Sequence, residues 1–297
     1  MNADRKERWD IWIEEYLANA LAARSDNKRP RGKLAGKRKL GVSTLLLALL
    51  TFTFIFAFPS SPAHKIVTAV LGGSDCSTST TSISNAPLGM RIALVDQLGS
   101  QYPNPGFVEN VTLSARKAGY SLDYISPNSA SIDFFINLPT YHYNLIILRT
   151  HGVAVGSPAI ATSDTYSQYN RINDQLLDRL GAIESNGTLL FTLNPGFVSY
   201  VMCGKFPNTI ILAMTCGLLT SSTYPQAFIG KGAGAIIGWN GAVTVSHTDL
   251  VFESLITELL TGNGVDRSLQ VATERWGPDP LTGAQLLSYP NSTSMSI

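Results

Sequence analysis

"NLIILRTHG", residues 144–152, and "TIILAMTCG", residues 209–217, follow one pattern. Each climbs through an unbroken aliphatic run and stops at a chemically capable side chain followed by glycine: His151-Gly152 in the first, Cys216-Gly217 in the second. A short apolar run rich in β-branched residues and closed by a turn signal reads as a strand buried on both faces. Both faces of a strand are buried when helices cover a parallel sheet from either side. The question these endings raise is whether His151 and Cys216 belong to one site.

The flanking sequence supports such a sheet. "MRIALVDQ" (90–97) reads as a first strand, "GFVENVTLSARKAG" (106–119) as a helix that Gly119 ends, and "YSLDYIS" (120–126) as a second strand. "SIDFFINLP" (131–139) is a short helix stopped by Pro139. After His151 the stretch 153–173 is less periodic and reads as a loop or hairpin excursion. "DQLLDRLGAI" (174–183) has helical spacing, and "GTLLFTL" (187–193) reads as a strand. Beyond Cys216, "YPQAFIGKG" (224–232) is a short helix and "AGAIIGW" (233–239) a strand. "SHTDLVFESLITELLTG" (246–262) and "VDRSLQVATERW" (265–276) are amphipathic helices. Alternating strands and helices at this spacing predict an α/β domain with a mainly parallel sheet and helices on both faces, over 88–289, with a tail at 290–297.

The N-terminal third is organised differently. Half of the 22 Lys and Arg residues precede Gly41, so the rest of the chain is mildly acidic and offers no charge support for nucleic-acid binding. "LGVSTLLLALLTFTFIFAF", Leu40–Phe58, carries no charge. About 19 residues at ~1.5 Å each span roughly 28 Å, the thickness of a bilayer core. The basic "KRPRGKLAGKRK" (28–39) precedes it, which predicts a single-pass membrane protein with its N-terminus in the cytoplasm and its C-terminal domain extracellular. A cleaved signal peptide is the competing reading, at odds with an n-region of about 40 residues. Residues 1–39 form a basic cytoplasmic segment whose Trp9, Trp12, Ile13, Tyr16, Leu17 and Ala20 share one helical face. That face suits a membrane surface, another protein or a second copy equally. Residues 59–87 are a Ser/Thr-rich stalk. Glycosylation triplets begin at Asn110, Asn186 and Asn291.

Three cysteines make no disulfide framework. Cys76 sits in the stalk, Cys203 in a mixed segment, and an exported domain leaves a Cys203–Cys216 bridge open. Ligands in open parallel α/β sheets gather at the carboxyl ends of strands. If the strands that end at His151 and Cys216 are neighbours, a thiol and an imidazole meet there, as nucleophilic catalysis requires. Gly152 and the Cys216 N–H are candidates for an oxyanion hole. Each residue alone has a plain structural reading, the thiol as a small buried hydrophobe and the imidazole as a hydrogen-bonded strand-end group.

"LIILRTHG" followed by "IILAMTCG" resembles the caspase-fold cysteine peptidases, which include gingipains, clostripain, legumain and CHAT proteases. The segment "QAFIGKGAGAIIGWNGAV" (226–243) is similar to the helix, Gly-Ala strand and Trp-containing loop that come after the cysteine in gingipain-like and CHAT domains. The resemblance covers roughly 88–276. It implies a three-layer α/β/α caspase-like domain and a cysteine endopeptidase that works through a thioester. It implies a His151–Cys216 dyad, an oxyanion contribution from Gly152, and a pocket lined by Trp239 and Asn240. Asp96, at the end of the first strand, is a candidate pocket carboxylate by analogy with basic-specific relatives, or else a solvated strand-end residue. Met214-Thr215 stands where relatives carry Gln-Ala or an Asp, so that position gives no P1 preference. No metal or other cofactor is called for. A peptide or protein is the expected partner, besides the membrane. The alternative is a catalytically silent binding or sensing module on the same fold; acyl transfer on a non-peptide substrate is a third reading. Neither a dinucleotide fingerprint nor a Ser hydrolase elbow is in place, since "GKGAGA" (230–235) has the strand and helix in the wrong order.

Overall fold

The computed structural model describes residues 90–153 and 158–297. The basic segment 1–39, the apolar stretch Leu40–Phe58 and the Ser/Thr-rich stretch 59–87, for which a cytoplasmic piece, a membrane span and a stalk are expected from sequence, lie outside the described residues. Among the described residues, no helix is long and apolar enough to cross a membrane.

The chain runs β1 (Arg91–Asp96), α1 (Pro105–Lys117), β2 (Ser121–Ile125), α2 (Ile132–Asn137), β3 (Leu145–Arg149) and β4 (Ile160–Thr165). It continues through α3 (Ile172–Leu176), β5 (Leu180–Ser185), β6 (Thr188–Leu193), α4 (Pro195–Tyr200) and β7 (Ile210–Ala213). It closes with α5 (Thr223–Gly230), β8 (Ala235–Trp239), α6 (Val245–Leu260), α7 (Val265–Trp276) and β9 (Leu286–Tyr289). The main sheet has six strands in the order β2-β1-β3-β7-β8-β9. The first five are parallel, and β9 pairs antiparallel with β8.

Strand alternation divides the core in two. Val95, Ile146, Leu148, Ile211 and Ile236 face α2, α4 and α5 and pack with Phe135, Phe197 and Phe228. Ile92, Leu94, Ile147, Leu212 and Ile237 face α1 and α6 and pack with Phe107, Val111, Phe252 and Leu255. Both sets are essentially free of solvent, which is why these strands read as continuous apolar runs. The result is a three-layer mixed α/β domain with a mostly parallel sheet, as the alternation of strands and helices in the sequence predicts.

Two segments depart from the sequence reading. "DQLLDRLGAI" is not one helix: α3 ends at Leu176, Asp178 takes a left-handed conformation with φ 53°, and Leu180 begins β5. β5 and β6 form a hairpin whose tip, Asn186-Gly187, has positive φ at both residues (49° and 73°), as a tight two-residue turn requires. With β4 they make a separate antiparallel sheet, β4-β6-β5. The tail 290–297 also belongs to the packed domain. The Val265 N–H donates to Met295 O at 2.8 Å, and the Met295 thioether fills the space over Gly234.

Candidate active site at the strand ends

β3 and β7 are hydrogen-bonded neighbours, with Leu148 opposite Ala213. The Met214 N–H continues the ladder to Leu148 O at 2.9 Å, and the hydroxyls of Thr150 and Thr215 meet at 3.0 Å in the next row. His151 and Cys216 come directly after these two threonines in the chain, at the carboxyl edge of the sheet. The two endings that the sequence singles out are therefore adjacent.

Gly152 is wedged between them and β4. It bridges to Ile160, and a Cβ on it would lie 2.1 Å from Thr215 Cγ2, 2.9 Å from Ala159 O and 2.9 Å from Cys216 O. No side chain fits, so glycine here serves close approach. Neither the Gly152 nor the Cys216 N–H is taken by a backbone carbonyl among the described residues.

The His151 ring is held by the turn after β1. Its backbone N–H donates to Gln97 Oε1 at 2.9 Å, its Nε2 lies 2.8 Å from Gln101 Oε1, and the Tyr102 ring meets it edge-on at 5.9 Å. Gln101 is itself fixed through Ser185 at the end of β5, its Nε2 donating to Ser185 Oγ at 2.9 Å. Ser185 Oγ also donates to Gln101 Oε1 at 3.1 Å, and with Oε1 as the atom facing the ring, Nε2 would carry the proton and Nδ1 would be the basic nitrogen. Burial, and secondarily the charge of Arg149, brings the imidazole down to about 4. Sequence reasoning misses Gln101: a lone polar residue in a turn carries no signal until the fold closes.

Cys216 is a free thiol, partly buried. The Val243 N–H points at its Sγ from 3.5 Å, and Sγ lies 3.7 Å from Val243 O. Burial pushes the thiol up, opposed by backbone N–H groups, while the charge of Asp279 adds to the rise. Asp279 also latches the loop 240–244 that carries Val243. Its Oδ2 accepts from Thr244 N and Oγ1 at 2.8 and 2.7 Å, and its Oδ1 from the N–H groups of Leu281 and Thr282 at 2.9 Å each. Despite burial, these donors hold the Asp279 carboxyl below its ordinary value. No hydrogen bond joins Sγ to the imidazole. At neutral pH the imidazole is therefore neutral and the thiol protonated. Cys203 is disulfide-bonded while Cys216 is free, so the bridge between them is not made.

The other site residues expected from sequence sit elsewhere. Trp239 is fully buried in the core and donates its indole N–H to Thr248 Oγ1 at 2.9 Å, so its side chain lines no pocket. Asn240 pins the approach to β9, its Oδ1 accepting from the Gln285 N–H at 2.7 Å. Asp96 is neither a free pocket carboxylate nor solvated. It is buried against Arg149 Nη1 at 2.7 Å and accepts from the Tyr124 hydroxyl at 2.9 Å. His247, on α6, packs on Trp239 with Nε2 3.3 Å from Gly277 O. Among the described residues, no cluster of His, Cys, Asp and Glu could hold a metal. A surface pocket of about 420 Å³ beside Asp133, Asp164 and Arg171 and one of about 150 Å³ beside Glu253 and Trp276 do not border the site.

No family model matches the chain, and no curated protein matches it. Among solved structures, the chain is similar to the Arg-specific cysteine proteinase gingipain R, with a TM-score of 0.44, 9% identity, and coverage of 71% of this chain and 48% of that one. A complex of the pro- and mature domains of RgpB from Porphyromonas gingivalis matches with a TM-score of 0.40 and 10% identity, over 65% of this chain and 44% of that one. The matched region thus spans about half the length of these structures or less.

Proposed function

We propose that the domain is a cysteine endopeptidase in a resting state, with Cys216 as nucleophile and His151 as its acid–base partner. The observation that carries this reading is the placement of the two residues at the same edge of two hydrogen-bonded parallel strands, past the Thr150–Thr215 contact. In the reaction, the imidazole takes the thiol proton and Sγ attacks the peptide carbonyl carbon. The Gly152 and Cys216 N–H groups stabilise the oxyanion. The imidazolium returns its proton to the leaving amine, and water, deprotonated by the same ring, cleaves the thioester. Gln101 keeps the proton on Nε2, so that Nδ1 is the nitrogen that cycles. The chemistry asks for no cofactor.

The resting geometry gives the reading a condition. Val243 covers the thiol, and burial keeps it protonated, so the loop 240–244 must shift before attack. We further propose that Leu40–Phe58 anchors the domain outside the cell. A disulfide at Cys203 suits an oxidising compartment, and Asn110, Asn186 and Asn291 are all exposed. The experiment is hydrolysis of a mixture of denatured proteins by the full-length chain and by Cys216→Ala. Cleavage that disappears in Cys216→Ala, with the fold intact by circular dichroism, supports the reading. Equal cleavage by both proteins overturns it.

A further inference from the structure

Beneath His151 lies a buried charge cluster that the proposed reaction does not use. Arg149 is 1% exposed, and its guanidinium makes four hydrogen bonds. Nη1 donates to Asp96 Oδ1 at 2.7 Å, Nε to Asp249 Oδ1 at 2.8 Å, and Nη2 to Asp249 Oδ2 at 2.9 Å and to Tyr102 O at 2.8 Å. Asp249, on α6, takes a further bond from Asn104 Nδ2 at 2.9 Å, and Asn104 caps α1 through the Phe107 N–H at 3.1 Å. Asp96 takes the Tyr124 hydroxyl. Every carboxylate oxygen of the cluster has a donor.

We infer that Arg149 is a positioning residue: it fastens the turn 97–104 across the end of β3, and that turn grips the His151 imidazole. The inference rests on the dyad reading for its catalytic meaning and on geometry for the rest. The turn reaches His151 three times, through Gln97, Gln101 and Tyr102. The same turn is tied down at Tyr102 O by Arg149 and at Asn104 by Asp249. A buried ion cluster is weak as a source of stability, because desolvation consumes most of its Coulomb gain. Its forked geometry instead fixes positions. A guanidinium reaches two carboxylates and a carbonyl at once, which an ammonium on a flexible stem does not.

The test uses the full-length chain in detergent with ¹⁵N-labelled histidine, so that its four imidazoles give the signals and His151→Gln assigns one of them. Arg149→Lys keeps the charge and loses the fork. In the parent, the expected result is a His151 ring that titrates near 4, with the Nε2 that faces Gln101 shielded from exchange. In Arg149→Lys the protection is lost and the titration moves up by about one pH unit or more, toward the ordinary histidine value, as water reaches the ring. Proteolysis, if the dyad reading holds, falls on the order of 10²-fold in kcat with KM nearly unchanged. Ile256→Ala, a core change on α6 away from the turn, leaves the His151 signal in place. Should Arg149→Lys fail to fold, Asn104→Asp preserves the helix cap and sets a second carboxylate against Asp249; it too should lower the protection of Nε2–H. A His151 ring unaltered in Arg149→Lys or in Asn104→Asp, or one altered equally by Ile256→Ala, overturns the inference. The ring signals are read without substrate, so an inactive parent would count against the peptidase reading alone.

Discussion

Replacing Gly152 with alanine probes how closely the two strand ends approach. The new Cβ would stand 2.1 Å from Thr215 Cγ2 and 2.9 Å from both Ala159 O and Cys216 O. The methyl cannot turn away cheaply, because rotating Thr215 breaks its 3.0 Å contact with Thr150. The two carbonyls are backbone and cannot retreat without moving the strands. Overpacking of this kind costs ~1–3 kcal/mol, and with three close contacts the upper end is expected. For a domain of about 200 residues that is a fall of roughly 5–10 °C in melting temperature. Thr215→Ser removes the worst contact and keeps the hydroxyl. Added to Gly152→Ala, it should restore part of the loss, with a coupling of about 0.5–3 kcal/mol. Urea titrations of the four proteins measure this without any substrate. A Gly152→Ala protein as stable as its parent, or strictly additive variants, would refute the close approach.

Other consequences concern the charged and titrating groups. His151 is half-buried, and desolvation brings its titration to about 4, below the unfolded value of about 6.5, so the unfolded chain binds the extra proton. Its contribution is complete above pH 6.5 and is lost as pH falls toward 4; the upper bound is about 3 kcal/mol, removed in His151→Gln. Asp279→Ala should free the loop 240–244 and take a negative charge from the thiol, so iodoacetamide labels Cys216 faster in that variant at neutral pH; an equal or slower rate would contradict the latch. In the parent, the alkylation rate of Cys216 should keep rising beyond the pH at which an ordinary thiol levels off, since burial raises this one. Arg149→Met strands two buried carboxylates and should cost about 3–5 kcal/mol in urea unfolding.

The features legible in the sequence are those that depend on local pattern. The buried parallel strands announce themselves because both faces are covered, and the two endings at His151 and Cys216 belong to the same runs. The hairpin is legible in part: Asn186-Gly187 is a strong turn signal, yet it doubles as the start of a glycosylation triplet, and the leucines before it imitate a helix. β9 escapes because it is a four-residue edge strand after a Pro- and Gly-rich stretch. Side-chain direction is the larger loss. Trp239 points into the core because β8 is covered on both faces, and no spacing rule distinguishes that from a pocket wall. Asp96 and Asp249 lie far apart in the chain and meet only through Arg149. Gln101 reaches His151 from a turn 50 residues earlier.

The central claim is that His151 activates Cys216 once the thiol is uncovered. Its most direct test is the rate at which a peptidyl acyloxymethyl ketone modifies Cys216, read by mass spectrometry of the intact chain, in the parent and in His151→Ala. The account predicts a thioether on Cys216 in the parent and a rate on the order of 10²-fold lower or more without the imidazole. Equal rates in the two proteins would contradict it.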